Sequence, residues 1–165
     1  MSENKKVKNA TQTIVDGKIF KSLLEARVYK KLLEYGYTPD YEHICFNLIE
    51  AFYPKSKCYD KHYDRKLKAK RFGVNIAKIP AITYTPDFTF SVNDKLIVIE
   101  CKGKENDVYP IKKKLFRRWV DIYTNLTGVE ILYFEVHNLH ELDECVEVIR
   151  SIDLNSNGKE HNTTD

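Results

Sequence analysis

The sequence predicts an α/β domain with a mixed β-sheet flanked by α-helices, and three observations carry that expectation. Three stretches show helical spacing of apolar residues, β-rich runs bounded by turn residues lie between them, and their order is α-β-(basic segment)-β-β-α-β-α. At 165 residues the chain is long enough for one domain with a proper core. A composition of 42% hydrophobic and 31% charged residues is that of an ordinary globular protein. No apolar run approaches the roughly 18 residues of a membrane span. The opening MSENKKVKNA lacks a signal-peptide core. Four cysteines (Cys45, Cys58, Cys101, Cys145) stand far apart with no CxxC pair, so a reducing, intracellular location is expected rather than a disulfide scaffold. The N-x-T sequons at Asn9, Asn125 and Asn162 then carry no weight.

Residues 1–15 read as a flexible arm and 154–165 as a frayed tail, leaving a single domain over 16–153 with a basic segment at about 54–73. Phe20 to Tyr35 reads as a helix, with Leu24, Val28 and Leu32 at four-residue intervals and Gly36 as the stop. A strand is expected around His43 to Leu48, while the basic segment has no readable secondary structure. Ile79 to Tyr84 and Phe88 to Val92 are β-rich, and Asn93-Asp94 turns the chain into Leu96 to Cys101, the pattern of a hairpin or meander. The second helix, about Tyr109 to Asn125, is expected to bury Ile111, Leu115, Trp119 and Ile122 on one arc, widened by Phe116, Val120 and Tyr123. Lys113, Lys114, Arg117 and Arg118 fall opposite, and Lys112 projects within the apolar arc. Val129 to Val136 reads as a buried strand and Leu139 to Ile152 as a last amphipathic helix.

Net charge is only +3, but its distribution is uneven. Lys55 to Arg71 holds eight Lys or Arg against two Asp, and Lys102 to Arg118 holds seven against two acids. Such segregation creates a local positive field able to attract phosphates.

Thr83 to Lys104, TYTPDFTFSVNDKLIVIECKGK, concentrates the candidate chemistry. Strand alternation puts Glu100 and Lys102 on one face and turns Ile97, Ile99 and Cys101 to the core. If Asp87 pairs across the hairpin near Glu100, two carboxylates and an ammonium converge at one edge. Converging carboxylates repel, and a proton or a cation must resolve the repulsion. Mg²⁺ takes oxygen ligands of this kind together with water and substrate phosphate. A bound metal provides hydroxide near neutral pH, and a neighbouring Lys orients that nucleophile or balances charge at phosphorus. The alternative is a turn residue after proline and a solvated strand-end pair.

The residues spell P-D-x12-E-x-K, which resembles the PD-(D/E)xK nuclease superfamily. With Glu25 on the first helix, ahead of Y-T-P-D-F and I-E-C-K-G, residues 20–104 look like the phage endonuclease I group of Holliday-junction resolvases. The chain also resembles small phage nucleases that follow this core with a Y-x-x-K-x-K-L-F helix, here Tyr109 to Phe116. The resemblance implies a restriction-endonuclease-like fold, Mg²⁺ with Mn²⁺ able to substitute, and action in the bacterial host cytoplasm. It implies Asp87 and Glu100 as metal ligands, Glu25 as a further ligand or metal-water contact, the Cys101 carbonyl as another oxygen, and Lys102 as the catalytic lysine. Glu25 has a second reading, because Ser22-Leu23-Leu24-Glu25 is a capping box. Lys112 is either a second active-site lysine or a side chain snorkelling along the apolar face. The gap between Asp87 and Glu100 is longer than in compact endonuclease I motifs, and the basic insertion before Tyr84 has no counterpart there.

His43-x-Cys45 and Cys58-x3-His62 form a two-plus-two pattern open to zinc, provided one helical turn aligns the second pair. His137-x-x-His140 is a weaker metal candidate. No Gly-rich phosphate loop or nucleophile elbow is present, against ATP-driven and serine-hydrolase chemistry. The basic segment either lies on DNA, with Tyr53, Tyr59 and Tyr63 against backbone or an exposed base, or is a solvated loop. Lys66, Lys68, Lys70, Arg71, Lys104, Lys112, Lys113, Lys114, Arg117 and Arg118 are the candidate DNA contacts. The expected function is a metal-dependent DNA endonuclease selective for branched DNA. Paired nicks across a junction imply a homodimer. A generic nicking nuclease and a noncatalytic DNA-binding protein are the alternatives.

Overall fold

A computed structural model describes residues 12–103 and 108–157, without the side chains of 153–157. The fold is mixed α/β, with three helices and ten short strands among these residues. It divides into two compact units, Met1–Cys45 with Thr85–Asp165, and Phe46–Tyr84. Among the described residues no helix is long and apolar enough to cross a membrane.

The first unit opens with a hairpin, β1 (Thr13–Val15) and β2 (Lys18–Phe20). Its turn is Asp16-Gly17, both at positive φ, the conformation that matches the twist of a two-residue hairpin. β1 thus lies inside the stretch read as a flexible arm, and it seats the buried side chain of Val15.

Helix α1 (Leu23–Glu34) follows, buried along Ala26, Val28, Tyr29 and Leu32. β3 (Asp40–Tyr41) then joins β8 (Phe88–Val92), β9 (Lys95–Cys101) and β10 (Ile131–Val136) in a sheet of order β10-β9-β8-β3. β9 pairs antiparallel to β8 and parallel to β10, so the sheet is mixed. Asn93 takes a positive φ in the turn between β8 and β9, a conformation Asn tolerates. The core joins α1 to Phe88, Phe90, Ile97, Ile99 and Cys101 and to Leu142, Cys145, Val146 and Ile149 of α3 (Leu139–Asn157). Asn138 and Glu141 cap α3: the Asn138 side chain accepts from the Glu141 N–H at 3.0 Å, and Glu141 accepts from the His137 N–H at 2.7 Å.

Helix α2 (Tyr109–Thr127) ends at Gly128, whose φ of 74° is the left-handed cap glycine supplies without steric cost. Phe116, with Leu115, Trp119, Val120 and Tyr123, lies on the expected inward arc, but the two isoleucines of that arc do not. Ile111 is 61% exposed and Ile122 44% exposed, while Tyr109 and Phe116 are buried. The inward face is the one seven residues apart, because Tyr109 and Phe116 both meet Tyr133 of β10, the first through its hydroxyl at 2.7 Å and the second ring to ring at 5.3 Å. Aromatic rings bury more area than an isoleucine and Tyr109 also finds polar partners, which outweighs the aliphatic arc.

The second unit contains strands only. β4 (Phe46–Ile49) pairs antiparallel with β7 (Ile82–Tyr84), with a bulge between Asn47 and Ile49. The strand expected at His43 to Leu48 therefore starts later, at Phe46. The basic segment is a ribbon of β5 (Cys58–Asp64) and β6 (Ala69–Asn75). Asp64 closes its turn by accepting from the N–H groups of Lys66 and Leu67 at 2.9 and 3.2 Å.

Helices α1 and α3 are tied by Asp143, which accepts from the Tyr35 hydroxyl at 2.5 Å and pairs with Lys31. Hydrogen bonds from Lys31 and Tyr35 hold the Asp143 carboxyl below its ordinary range. A depressed folded pKa contributes stability above the unfolded value and loses it as pH falls through the folded one. Asp143→Asn should therefore lower Tm at pH 7, with the deficit shrinking as the pH falls below the ordinary carboxylate range; thermal melts over a series of acidic pH values check it.

Candidate functional site

The β8–β9 register builds the site. Phe88 pairs with Ile99 and Thr89 with Val98, so continuing the ladder sets Asp87 opposite Glu100. The Cys101 N–H donates to Asp87 Oδ2 at 2.7 Å, and the Glu42 N–H donates to the Asp87 carbonyl at 2.9 Å, which fixes this residue from two sides. On β9, Ile97, Ile99 and Cys101 lie in the core, which leaves Glu100 on the opposite face. There Glu100 is only 5% exposed and pairs with Lys102 at 2.5 Å.

Burial raises the Asp87 carboxyl well above its usual range, and the charges of Glu100 and Glu25 raise it further against the pull of the Cys101 N–H and Lys102. Glu25, Asp87, Glu100 and Lys102 therefore form one electrostatic group. Burial first, then the three carboxylates, pushes the Cys101 thiol up, so its sulfur stays protonated within the core. Any ligand role for Cys101 falls to its backbone carbonyl.

Glu25 sits in the geometry of the capping box. The Glu25 N–H donates to Ser22 Oγ at 3.2 Å, while Glu25 accepts from the Ser22 hydroxyl at 2.7 Å and the Lys21 N–H at 3.0 Å. The Tyr41 hydroxyl adds a fourth contact at 2.6 Å. Burial and the Glu25 hydrogen bond push the Tyr41 hydroxyl pKa far up, so it remains a donor.

Three residues beyond the sequence reading complete the surroundings: Tyr41, Tyr109 and Glu135. The Lys102 ammonium lies 3.9 Å from the centre of the Tyr109 ring. The Tyr109 hydroxyl donates to Glu135, which is paired with Lys113 at 2.8 Å. Glu135 is the register partner of Glu100 on β10. Burial raises the Glu135 carboxyl, but hydrogen bonds from Lys113 and Tyr109 more than offset this and hold it low. Strand alternation puts Tyr133 and Glu135 on one face, but only the parallel β9–β10 pairing sets that face beside Glu100.

The chemistry of these donors fits a hard divalent ion: desolvated carboxylate oxygens whose mutual repulsion a cation relieves. Asp87 and Glu100 would hold it, with the Cys101 carbonyl and Glu25 as further oxygens. Glu25 would have to exchange a capping contact to do so. Among the described residues no group of three His, Cys, Asp or Glu side chains stands ready to hold a metal.

The zinc pattern is not assembled. Cys58 and His62 lie on strand β5 rather than on a helix, and residues four apart on a strand are separated by about 13 Å. His62 instead contacts Asp60 at 3.0 Å, and Cys45 and Cys58 are exposed. His137 is taken up by Glu141 at 2.9 Å, in the cap of α3, and His140 lies 3.7 Å from Glu144.

Of the candidate DNA contacts, Lys66 and Lys68 lie at the ribbon turn and Lys70 is exposed on β6. Arg71 pairs with Asp64 at 2.8 Å. On α2, Lys114, Arg117 and Arg118 are exposed and Lys112 is half-buried. Lys113 and Arg117 line a groove of about 310 Å³ with Val120, Asp121, Tyr133 and Glu135. Lys104 lies outside the described residues.

Asp87→Asn keeps an acceptor for the Cys101 N–H and removes the buried charge. Because the folded pKa of Asp87 is raised, its contribution to stability is lost as pH rises through that value. The variant should therefore have a higher Tm than the wild type at pH 8 in EDTA, with the gain shrinking as the pH is lowered toward the ordinary carboxylate range. Paired melts over that pH range measure it; a lower Tm at pH 8 would contradict the electrostatic account.

A family model described as "Protein of unknown function (DUF1064)" matches residues 5–135, a span that includes Glu25, Asp87, Glu100, Lys102 and the basic ribbon. No curated protein and no solved structure matches the chain.

Proposed function

The chain belongs to the DUF1064 family, and from its site we propose that it is a metal-dependent DNA endonuclease of the PD-(D/E)xK kind, selective for branched DNA. One observation carries the reading: a strand register sets Asp87 against buried Glu100, with Lys102 on that carboxylate. Burial and the neighbouring Glu100 charge raise the Asp87 carboxyl well above its usual range, the kind of perturbed carboxylate that catalytic sites employ. The mixed sheet with α1 and α3 in its core supports a restriction-endonuclease-like architecture.

Asp87 and Glu100 would hold Mg²⁺ or Mn²⁺, with the Cys101 carbonyl and Glu25 as further oxygens. Bound there, the ion supplies a water of lowered pKa and positive charge for the phosphate oxygens. Lys102 faces the same carboxylate and can orient the attacking water or balance charge as the phosphorus gains its fifth oxygen. The Tyr109 ring also holds the Lys102 ammonium, and the Glu135–Lys113 pair holds Tyr109 in turn. The exposed cations of α2 and of the ribbon suit a phosphate backbone and form no base-reading pattern. The reading extends to a homodimer, because paired nicks across a junction need two sites, and to a phage protein acting in the bacterial host cytoplasm.

Cleavage of a labelled four-way junction, beside matched linear duplex and single strand, tests the proposal with Mg²⁺, Mn²⁺ or EDTA. Metal-dependent paired cuts in the junction are expected, together with their loss by several orders of magnitude in Lys102→Ala. Equal cutting of duplex would remove the junction selectivity. Binding without cleavage in any metal would leave a DNA-binding protein. In the same assay Tyr109→Leu should lower the cleavage rate about tenfold, while Tyr109→Phe, which keeps the ring beneath Lys102, should retain most of it.

A further inference from the structure

The β5–β6 register sorts the basic ribbon into two unlike faces. Tyr59 pairs with Val74, Lys61 with Phe72 and Tyr63 with Lys70, and these six share one face. The alternate positions carry Cys58, Asp60, His62 and Asp64 opposite Asn75, Gly73, Arg71 and Ala69. On that second face the charged groups bind each other: Asp60 with His62 at 3.0 Å and with Asn75 at 2.9 Å, and Asp64 with Arg71 at 2.8 Å. The first face has two lysines, no carboxylate and three rings turned to solvent, with Phe72 73% exposed and Tyr59 and Tyr63 each 57% exposed.

Such exposure needs a physical reason. A two-stranded ribbon is stabilised by burying apolar side chains, yet its three aromatic rings are on the open side. Tyr59 and Tyr63 flank Phe72 on the diagonals of the ladder, at a spacing of about 7–8 Å. Rings at such spacing can each receive a separate, splayed base, whereas the bases of a duplex stack too closely and present only their edges.

We propose that this face is a binding surface for unpaired DNA, with bases stacked on Tyr59, Phe72 and Tyr63 and the intervening phosphates met by Lys61 and Lys70. The choice of DNA over another polyanion rests on the nuclease reading, and the surface gives that reading its substrate feature: a single-stranded segment in the DNA it binds. The opposite face, including Arg71, takes no part, because its charges are already satisfied within the ribbon. The exposed cations of the turn, Arg65, Lys66 and Lys68, add attraction to the backbone without selectivity.

Fluorescence anisotropy on the full chain in EDTA tests this with three probes: a labelled oligothymidylate, an abasic strand of equal length and charge, and a duplex. The oligothymidylate should bind about tenfold or more tightly than the abasic strand, since the two differ only in what can stack. Phe72→Leu and Tyr59→Leu should each weaken its binding about tenfold, and Phe72→Tyr should restore it. Equal affinity for the abasic strand, tighter binding of duplex, or indifference to both ring variants would each overturn the proposal. Junction cleavage by the same preparations in Mg²⁺ separates the two readings. Cleavage with ring-independent binding removes the stacking face and leaves the nuclease, while ring-dependent binding without cleavage does the reverse.

Discussion

The pairing of Phe88 with Ile99 is the constraint from which the candidate site follows. Side chains alternate along a strand, so a slip of one residue would carry Glu100 into the core and turn Ile99 out of it. Moving that carboxylate away from Lys102 and in among Phe88, Val28 and Ile149 would cost several kcal/mol. The hydrophobic pattern therefore locks the register, and the locked register forces Asp87 and Glu100 together. Their repulsion is a consequence of the core, held in place by interactions far larger than itself.

Around that pair the protein arranges donors whose structural and chemical uses overlap. Glu25 caps α1 and at the same time raises the Asp87 carboxyl. Tyr41 reaches Glu25 from β3, the strand that also pairs with β8. Lys102 is shared between the Glu100 carboxylate and the face of Tyr109. A ring is a weak competitor for an ammonium, so it can position the charge without neutralising it. Lys113 neutralises Glu135, the register neighbour of Glu100, and spares the site an uncompensated further negative charge.

The strand-only unit is built on a different principle. Its buried side chains are Phe46 and Tyr84, register partners on β4 and β7, and its ribbon is held by ladder hydrogen bonds and by charges paired along one face. Pairing the carboxylates with His62, Asn75 and Arg71 leaves the other face with two cations, three rings and Val74, and no carboxylate. The same ribbon thereby combines a self-satisfied side with one whose chemistry is complementary to a polyanion carrying flat, apolar bases.

Much of this was legible in the chain itself. Alternation in Leu96 to Cys101 gave the faces of Glu100 and Lys102, the Asn93-Asp94 turn gave the hairpin, and Ser22 with Glu25 gave the cap of α1, because each of these is encoded over a few consecutive residues. Asp16-Gly17 is a hairpin signal of the same local kind, and the arm reading passed over it. Helix periodicity found α2 and put Phe116, Trp119, Val120 and Tyr123 in its inward arc, but it also turned Ile111 and Ile122 inward, since it weighs them and Phe116 alike and cannot see that Tyr133 lies against the aromatic side. Tyr41, Tyr109 and Glu135 enter the site through strand neighbours and helix packing distant in sequence, and the sorting of the ribbon into two faces needs the partner strand's register. The sequence determined which residues carry charge and which way they alternate; tertiary structure decided which charges meet, because proximity across strands is set by register and packing rather than by spacing along the chain.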